Sequence, residues 1–320
     1  MVEKIKKHET IKKEAMAQRE LETFIDNPGL GEMAALFGVE ELPAAPNERL
    51  LVLQRVAATN WDFRKGAERQ ATVWDNDFLD KEGSSQWNAV FSAADKLGLV
   101  RNTSPSNKNP NSLIILGGAN RAPLDRLRYG LANVDDFDNL TYLGSSRPVS
   151  DQERENAKDY APTASTEAEL GSGAFETLLG ARLVDEINTV RDGDVWGMRL
   201  YEFDRNGERK HGFVLSTPQQ IGARRATTYD NLTFFADRAE LSESPDYTAV
   251  IATTGFFTAF QHLSAVQELT LKYGTNVETI GHSAEYSGGK RKPSQLLQET
   301  KSAIDAAVRL QQAISASEKQ

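Results

Sequence analysis

Apolar and polar positions divide the chain into two stretches of different rhythm. Over residues 1–105 the pattern is helical. Residues 3–24 are rich in Lys, Glu, Ala and Gln, all strong helix formers, and Asn27-Pro28-Gly29 stops the run. Between Asn47 and Thr59 an apolar face is supplied by Leu50, Leu51, Leu53, Val56 and Ala57. Trp87 to Leu97 predicts a third helix, ended by Gly98. Trp61, Phe63, Trp74 and Trp87 fall in the same stretch. They read as packing for these helices, with an aromatic ligand wall as the alternative. Arg101–Asn111 is polar, contains Pro105 and Pro110, and predicts a linker or surface loop.

From Ser112 onward short apolar runs alternate with helical periods. Ser112–Leu116, Asn139–Leu143, Tyr247–Thr253 and Asn276–Ile280 read as strands, each running into a glycine, serine or threonine turn. Helices are expected over Leu124–Tyr129, about Thr166–Ile187, Thr228–Ala239, Phe256–Lys272 and Ser294–Ile314. Strands alternating with helices imply a mainly parallel sheet covered on both faces. Val195–Phe203 and Lys210–Ser216 break the rhythm, and Asn206-Gly207 between them signals a tight hairpin. The expectation is therefore an α/β, Rossmann-like, mainly parallel sheet flanked by helices over residues 106–320. It carries an inserted β-hairpin at about 195–216, and an N-terminal helical region of residues 1–105 precedes it. The hairpin would extend the sheet edge or form a flap.

Composition narrows the chemistry. The chain has 320 residues and a formal charge of −9, which argues against bulk nucleic-acid binding, since phosphate neutralisation needs a basic surface. It has no cysteine, so disulfides and thiolate chemistry are excluded and a cytoplasmic location is expected. The histidines His8, His211, His262 and His282 share no metal-ligand spacing, so no metal site is expected. Residues 247–267 carry no Asp, Glu, Lys or Arg, but their threonines, Gly255, Gln261 and His262 suit a buried strand and helix better than a membrane span.

In open α/β sheets ligands bind at the carboxyl ends of the strands. After the first strand come Gly117, Gly118, Asn120 and Arg121, with Arg126 further on. Glycine permits close backbone approach and the following amides can cradle an anion, although an ordinary turn reads the same. After the second strand come Ser145, Ser146 and Arg147, the guanidinium suiting phosphate or carboxylate. Thr227 or Thr228 is a candidate helix cap, with Asn231 in the same first turn. Thr253 and Thr254 close the third strand. His282, Glu285 and Lys290 follow the fourth on a glycine-containing stretch. There is no nucleophile elbow, Walker A motif or complete G-x-G-x-x-G.

Taken in order, these strand-end motifs resemble those of the DUF218 or YdcF-like family. The parallels are Leu116-Gly117-Gly118 with Arg121 or Arg126, Leu143-Gly144-Ser145 with Glu153, Thr228-Tyr229-Asp230-Asn231, and Ile251-Ala252-Thr253-Thr254. They cover residues 112–310. Phe257, Phe260 and Gln261 stand where that family carries its last His and Arg. The resemblance implies a Rossmann-like fold and a pocket for a nucleotide-like or S-adenosylmethionine-like molecule. It implies no settled reaction.

The functional expectation is binding of an anionic nucleotide-like or S-adenosylmethionine-like metabolite at the carboxyl ends of the strands, with catalysis on it left open. Gly117, Gly118, Asn120, Arg121, Ser145, Arg147, Thr228, Asn231 and Thr254 would line the site, and Glu153, His282 and Glu285 are the candidate acid–base groups. The alternatives are a non-catalytic interaction scaffold, with self-association through the N-terminal helices, and a phosphoester hydrolase.

Overall fold

The computed structural model describes residues 2–65, 72, 74, 76–191, 194–218, 226–239, 241 and 246–317. Strands form where the apolar runs predict them: β1 (Ser112–Leu116), β2 (Asn139–Ser145), β6 (Thr248–Thr254) and β7 (Asn276–His282). Between them stand the meander strands β3 (Arg182–Arg191), β4 (Asp194–Arg205) and β5 (Glu208–Thr217). All seven join one mixed sheet in the order β3-β4-β5-β2-β1-β6-β7. The β5-β2-β1-β6-β7 pairings are parallel, and β3-β4 and β4-β5 are antiparallel. The fold is thus α/β with a mostly parallel seven-stranded sheet.

The hairpin turns on Asn206 and Gly207, with φ of 57° and 81°, the positive pair that a two-residue turn between twisted strands requires. It extends the sheet, because β5 runs parallel beside β2. The helix expected to reach Ile187 ends earlier. Helix α7 (Glu167–Leu179) is closed by left-handed Gly180, and β3 begins at Arg182. A glycine C-cap outweighs the apolar periodicity beyond it.

The chain forms two compact units. The sheet unit spans Ser104–Thr254 and Tyr273–His282. Helices α5 (Ala122–Asn133) and α7 cover one sheet face: a Cβ on Gly130 would lie 3.1 Å from Ile115 and 3.2 Å from Ala252, and Gly171 abuts the buried ring of Tyr142. Short α6 (Asp151–Ala157) lies between them in sequence, and α8 (Thr228–Arg238) packs on the opposite face against β2 and β5. Leu113, Leu127, Leu140, Phe175 and Val250 are among the core residues.

The helical unit spans Met1–Thr103, Gly255–Lys272 and Ser283–Gln320. It contains α1 (Val2–Ile25), α2 (Pro28–Ala35), α3 (Pro46–Asn60) and α4 (Ser85–Lys96). Asn27 both ends α1 and caps α2, its side chain accepting from the Gly29 amide. After β6 come α9 (Thr258–Ala265), a π turn at Val266–Thr270 and the single turn α10 (Leu271–Tyr273). The long α11 (Pro293–Ser317) buries Leu296, Leu297, Ile304 and Leu310 in the same core as Leu21, Leu50, Leu53 and Trp61. Trp61 is fully buried beside Phe37, and Trp87 stacks on Phe91. These two tryptophans therefore act as packing residues. Among the described residues no helix is long and apolar enough to cross a membrane.

Candidate functional site

Five strands point the same way, so Leu116, Ser145, Thr217, Thr254 and His282 end on one carboxyl edge of the sheet. At β1 and β6 the centre of that edge is Arg126, which is 3% exposed. Its Nη1 donates to the Leu116 carbonyl at 2.9 Å and also to the Gly117 carbonyl. Its Nε donates to Thr254 Oγ1 at 3.2 Å. The Thr254 hydroxyl in turn lies 3.4 Å from His282 Nε2, and the buried His282 ring packs edge-on against Tyr129. The edge thus holds a buried cation, a hydroxyl and an imidazole in series.

At β2 the organiser is Glu167, the first residue of α7. Its Oε2 accepts from Ser145 Oγ at 2.5 Å, and its backbone amide donates to the Arg147 carbonyl at 2.9 Å. A Cβ on Gly117 would lie 2.6 Å from the Leu143 carbonyl and 3.1 Å from Glu167 Oε1. Only glycine lets β1 leave the sheet here. Arg147 makes a two-pronged ion pair with Glu153, at 3.0 Å from each Nη. Glu153 also accepts from the Ser150 amide at 2.8 Å and completes the capping box of α6. Burial pushes the Glu153 carboxyl up, but Arg147 and Ser150 outweigh it and hold it below the usual carboxylate range. Both Glu153 oxygens are engaged, so its geometry is that of a group fixing Arg147.

The third part of the edge lies on the α8 face, where Ser145 and Thr217 are in register. Arg238 and Ala239, at the end of α8, border the same cavity as Ser112 and Asn139, which begin β1 and β2. Asn231 lies in the first turn of α8, on this same face of the sheet. Thr227, not Thr228, is its cap, in a capping box with Asp230. Thr228 is the first helical residue. Three buried polar atoms have no hydrogen-bond partner among the described residues: Arg147 Nε and Thr217 Oγ1 at this edge, and Asn231 Oδ1 in the first turn of α8.

Other predicted residues sit apart from this cluster. Arg121 is partly exposed and paired with Asp159. Asn120 takes a left-handed conformation, φ 57°, and its side chain accepts from Asn156. Gly118, by contrast, belongs to the edge, since it packs over the Arg126 guanidinium. Glu285 is exposed on a 3-10 turn, whereas His282 is buried at a strand end. The basic pair Arg224-Arg225, which precedes the α8 cap in the sequence, lies outside the described residues. Sequence reasoning missed Glu167 and Thr217. The T-x-x-E box of Thr166 and Glu169 marks where α7 starts and so places Glu167. Thr217 carried no such mark, because a hairpin strand was not counted among the parallel ends. Among the described residues no group of three or more His, Cys, Asp or Glu is arranged to hold a metal.

A second cavity, of about 230 Å³, opens on the α7 face of the same edge, bordered by Ser146, Thr166, Glu169, Arg199 and Ser216. Arg199 is braced by Glu186 at 2.7 Å, Ser172 at 3.2 Å and Glu169 at 3.5 Å.

Comparison with known proteins places the chain near a different group from the one its motifs suggested. Residues 8–98 match the family model of the Rv3785 N-terminal domain. Uncharacterized protein Rv3785 of Mycobacterium tuberculosis is 25% identical, the match covering 91% of this chain and 88% of that protein. Uncharacterized protein Mb3814 of Mycobacterium bovis is similar to the same extent, 25% over 91% of this chain and 88% of its own. No solved structure matches. The resemblance to the DUF218 or YdcF-like family is overturned by these matches. Its motifs are short turns that any parallel sheet uses, and the T-x-x-N motif is in fact the Thr227–Asp230 capping box, one residue earlier.

Proposed function

We propose that the chain binds a small anionic, nucleotide-like metabolite at the carboxyl edge of its sheet. One observation carries the reading. Arg147 Nε, Thr217 Oγ1 and Asn231 Oδ1 come from three separate elements, are buried, and lack protein partners among the described residues. A buried polar atom without a partner costs about 1–3 kcal/mol, and native proteins keep such atoms rare unless a guest or ordered water satisfies them. The set comprises a guanidinium donor, a hydroxyl that can do either, and an amide acceptor. A guest that satisfies all three must carry an acceptor group together with a donor hydroxyl or amine, as phosphorylated nucleosides and sugars do.

The surroundings suit this guest. Arg126 places a buried positive charge at the same edge. β1 is flanked by β2 on one side and β6 on the other, which creates the crevice in which Rossmann-like sheets take their ligands. Whether chemistry follows turns on His282, the candidate acid–base group that the strand end holds against Thr254. We read the protein as cytoplasmic, consistent with its lack of cysteine.

The test is a thermal-shift screen over ribonucleotides, sugar phosphates and S-adenosylmethionine, since a ligand at a hundred times its Kd stabilises by about 2.7 kcal/mol. The expected result is a saturable rise with at least one phosphorylated compound that Thr217→Val weakens by about tenfold, the loss of one hydrogen bond. No shift at millimolar concentration, or a shift that Thr217→Val leaves intact, defeats the reading.

A further inference from the structure

The sheet unit contains a further cavity, which reaches the amino ends of β1 and β2. It measures about 260 Å³ and lies between α8 and the sheet, near the first residues of β1 and β2. Ligand pockets for drug-sized molecules run from about 300 to 1,000 Å³, so any guest here is small. The walls are mostly apolar, formed by Met198, Phe213, Leu215 and Phe235, with Asn139 and Thr141 as the polar members. Register explains this, because Phe213 and Leu215 of β5 and Met198 of β4 fall on the same sheet face. The inner end is polar and already satisfied. Ser112 Oγ and Tyr247 OH are buried 2.6 Å apart and bond to each other. Burial pushes the Tyr247 phenol up, which keeps it neutral.

The mouth carries one charge. Arg238 borders the cavity and is exposed. Its guanidinium is held over the rings of Trp196 at 5.5 Å and Phe234 at 5.1 Å. Among the described residues it has no carboxylate partner. Stacking fixes the plane of a guanidinium without using its N–H donors, and that fork matches a carboxylate in bidentate fashion. A cavity with mostly apolar walls, a neutral floor and a single oriented cation at its opening selects an amphipathic monoanion. A dianionic phosphate ester is disfavoured, because one guanidinium and mostly apolar walls leave much of its charge unsolvated.

The geometry points to a binding site for a small monocarboxylate with an apolar body, an aryl or short alkyl acid. Its ring or chain lies among Phe213, Leu215 and Phe235, and its carboxylate meets Arg238. This site is distinct from the carboxyl-edge site and does not depend on it.

Titration of the full-length protein with phenylacetate and hexanoate, each against its neutral amide, tests the assignment by melting temperature and calorimetry. The expected result is saturable binding of an acid, with the amide weaker by roughly tenfold or more, the scale of one charge-assisted contact. Arg238→Gln should cause a similar loss, and Ala239→Phe, which places a ring in the cavity, should abolish binding. Thr217→Val should leave it unchanged, which separates this site from the carboxyl edge. Arg238 is exposed, so Arg238→Gln keeps the fold and decides the matter even if Ala239→Phe does not fold. Absence of saturation with either acid, equal binding of acid and amide, or full affinity in Arg238→Gln overturns the proposal.

Discussion

At the residue scale, the groups that matter at the carboxyl edge divide by whether their hydrogen bonds are complete. Arg126, Ser145 and Glu153 have protein partners that fix them. Thr217 Oγ1 has none and is 1% exposed as a residue. Thr217→Val keeps the branched shape and removes the orphan hydroxyl. It is expected to stabilise the unliganded protein by about 1 kcal/mol, read as a melting temperature raised by a few degrees. A hydroxyl already hydrogen-bonded within the fold would give the opposite sign, so differential scanning calorimetry separates the two. Arg147 differs. Its Arg147→Gln variant leaves Glu153 buried and unpaired, and is expected to lose about 3 kcal/mol, measured by urea unfolding.

At the scale of elements, α7 positions the site through its first turn, and its depth on the sheet is set by Gly171. A Cβ at that position falls within the ring of Tyr142, which is fully buried and cannot swing away. Gly171→Ala should therefore cost about 2 kcal/mol as overpacking and loosen the Ser145–Glu167 contact, visible as weaker ligand stabilisation as well as a lower midpoint in urea. Elements with a local signal were legible in the sequence. The strands that begin at Ser112, Asn139 and Asn276, the Asn206-Gly207 hairpin and the helix from Thr228 all stand where apolar period or turn chemistry puts them. Strand β3 was not legible. Leu183, Val184 and Ile187 are exposed, so the strand lacks the buried alternating face that marks one, and its pairing with β4 is a tertiary fact. The site was legible only in part, for a related reason. Turn glycines and strand-end hydroxyls can be read from the chain, but that β5 runs beside β2, and so brings Thr217 to Ser145, is decided by sheet order.

At the scale of the whole molecule, acid should be destabilising. Glu153 and Glu169 are pushed up by burial but held below the usual range by the stronger effect of their hydrogen bonds, and the contact with His262 lowers Glu20. A carboxyl whose folded pKa is depressed contributes in full above its unfolded value, 4.5 for glutamate, and the contribution fades as pH falls through the folded value. The melting temperatures of the wild type and Glu153→Gln should thus differ most above pH 4.5 and converge below it, as a pH series of thermal melts would show. The helical unit carries a separate expectation. Its core joins Leu21, Leu50 and Leu53 to Leu296, Ile304 and Leu310. A fragment ending at Thr103 lacks the second set and should show no cooperative thermal transition by circular dichroism, even though the matching family model stops at residue 98.

That discontinuity has a consequence for biosynthesis. The first hundred residues emerge from the ribosome long before α11, the helix that closes their core. At about 5–20 residues per second, they spend some ten seconds or more with apolar faces uncovered, while the sheet strands are still being made. Production of this protein in a cell should accordingly depend on holdase chaperones that shelter the nascent amino-terminal helices until translation ends.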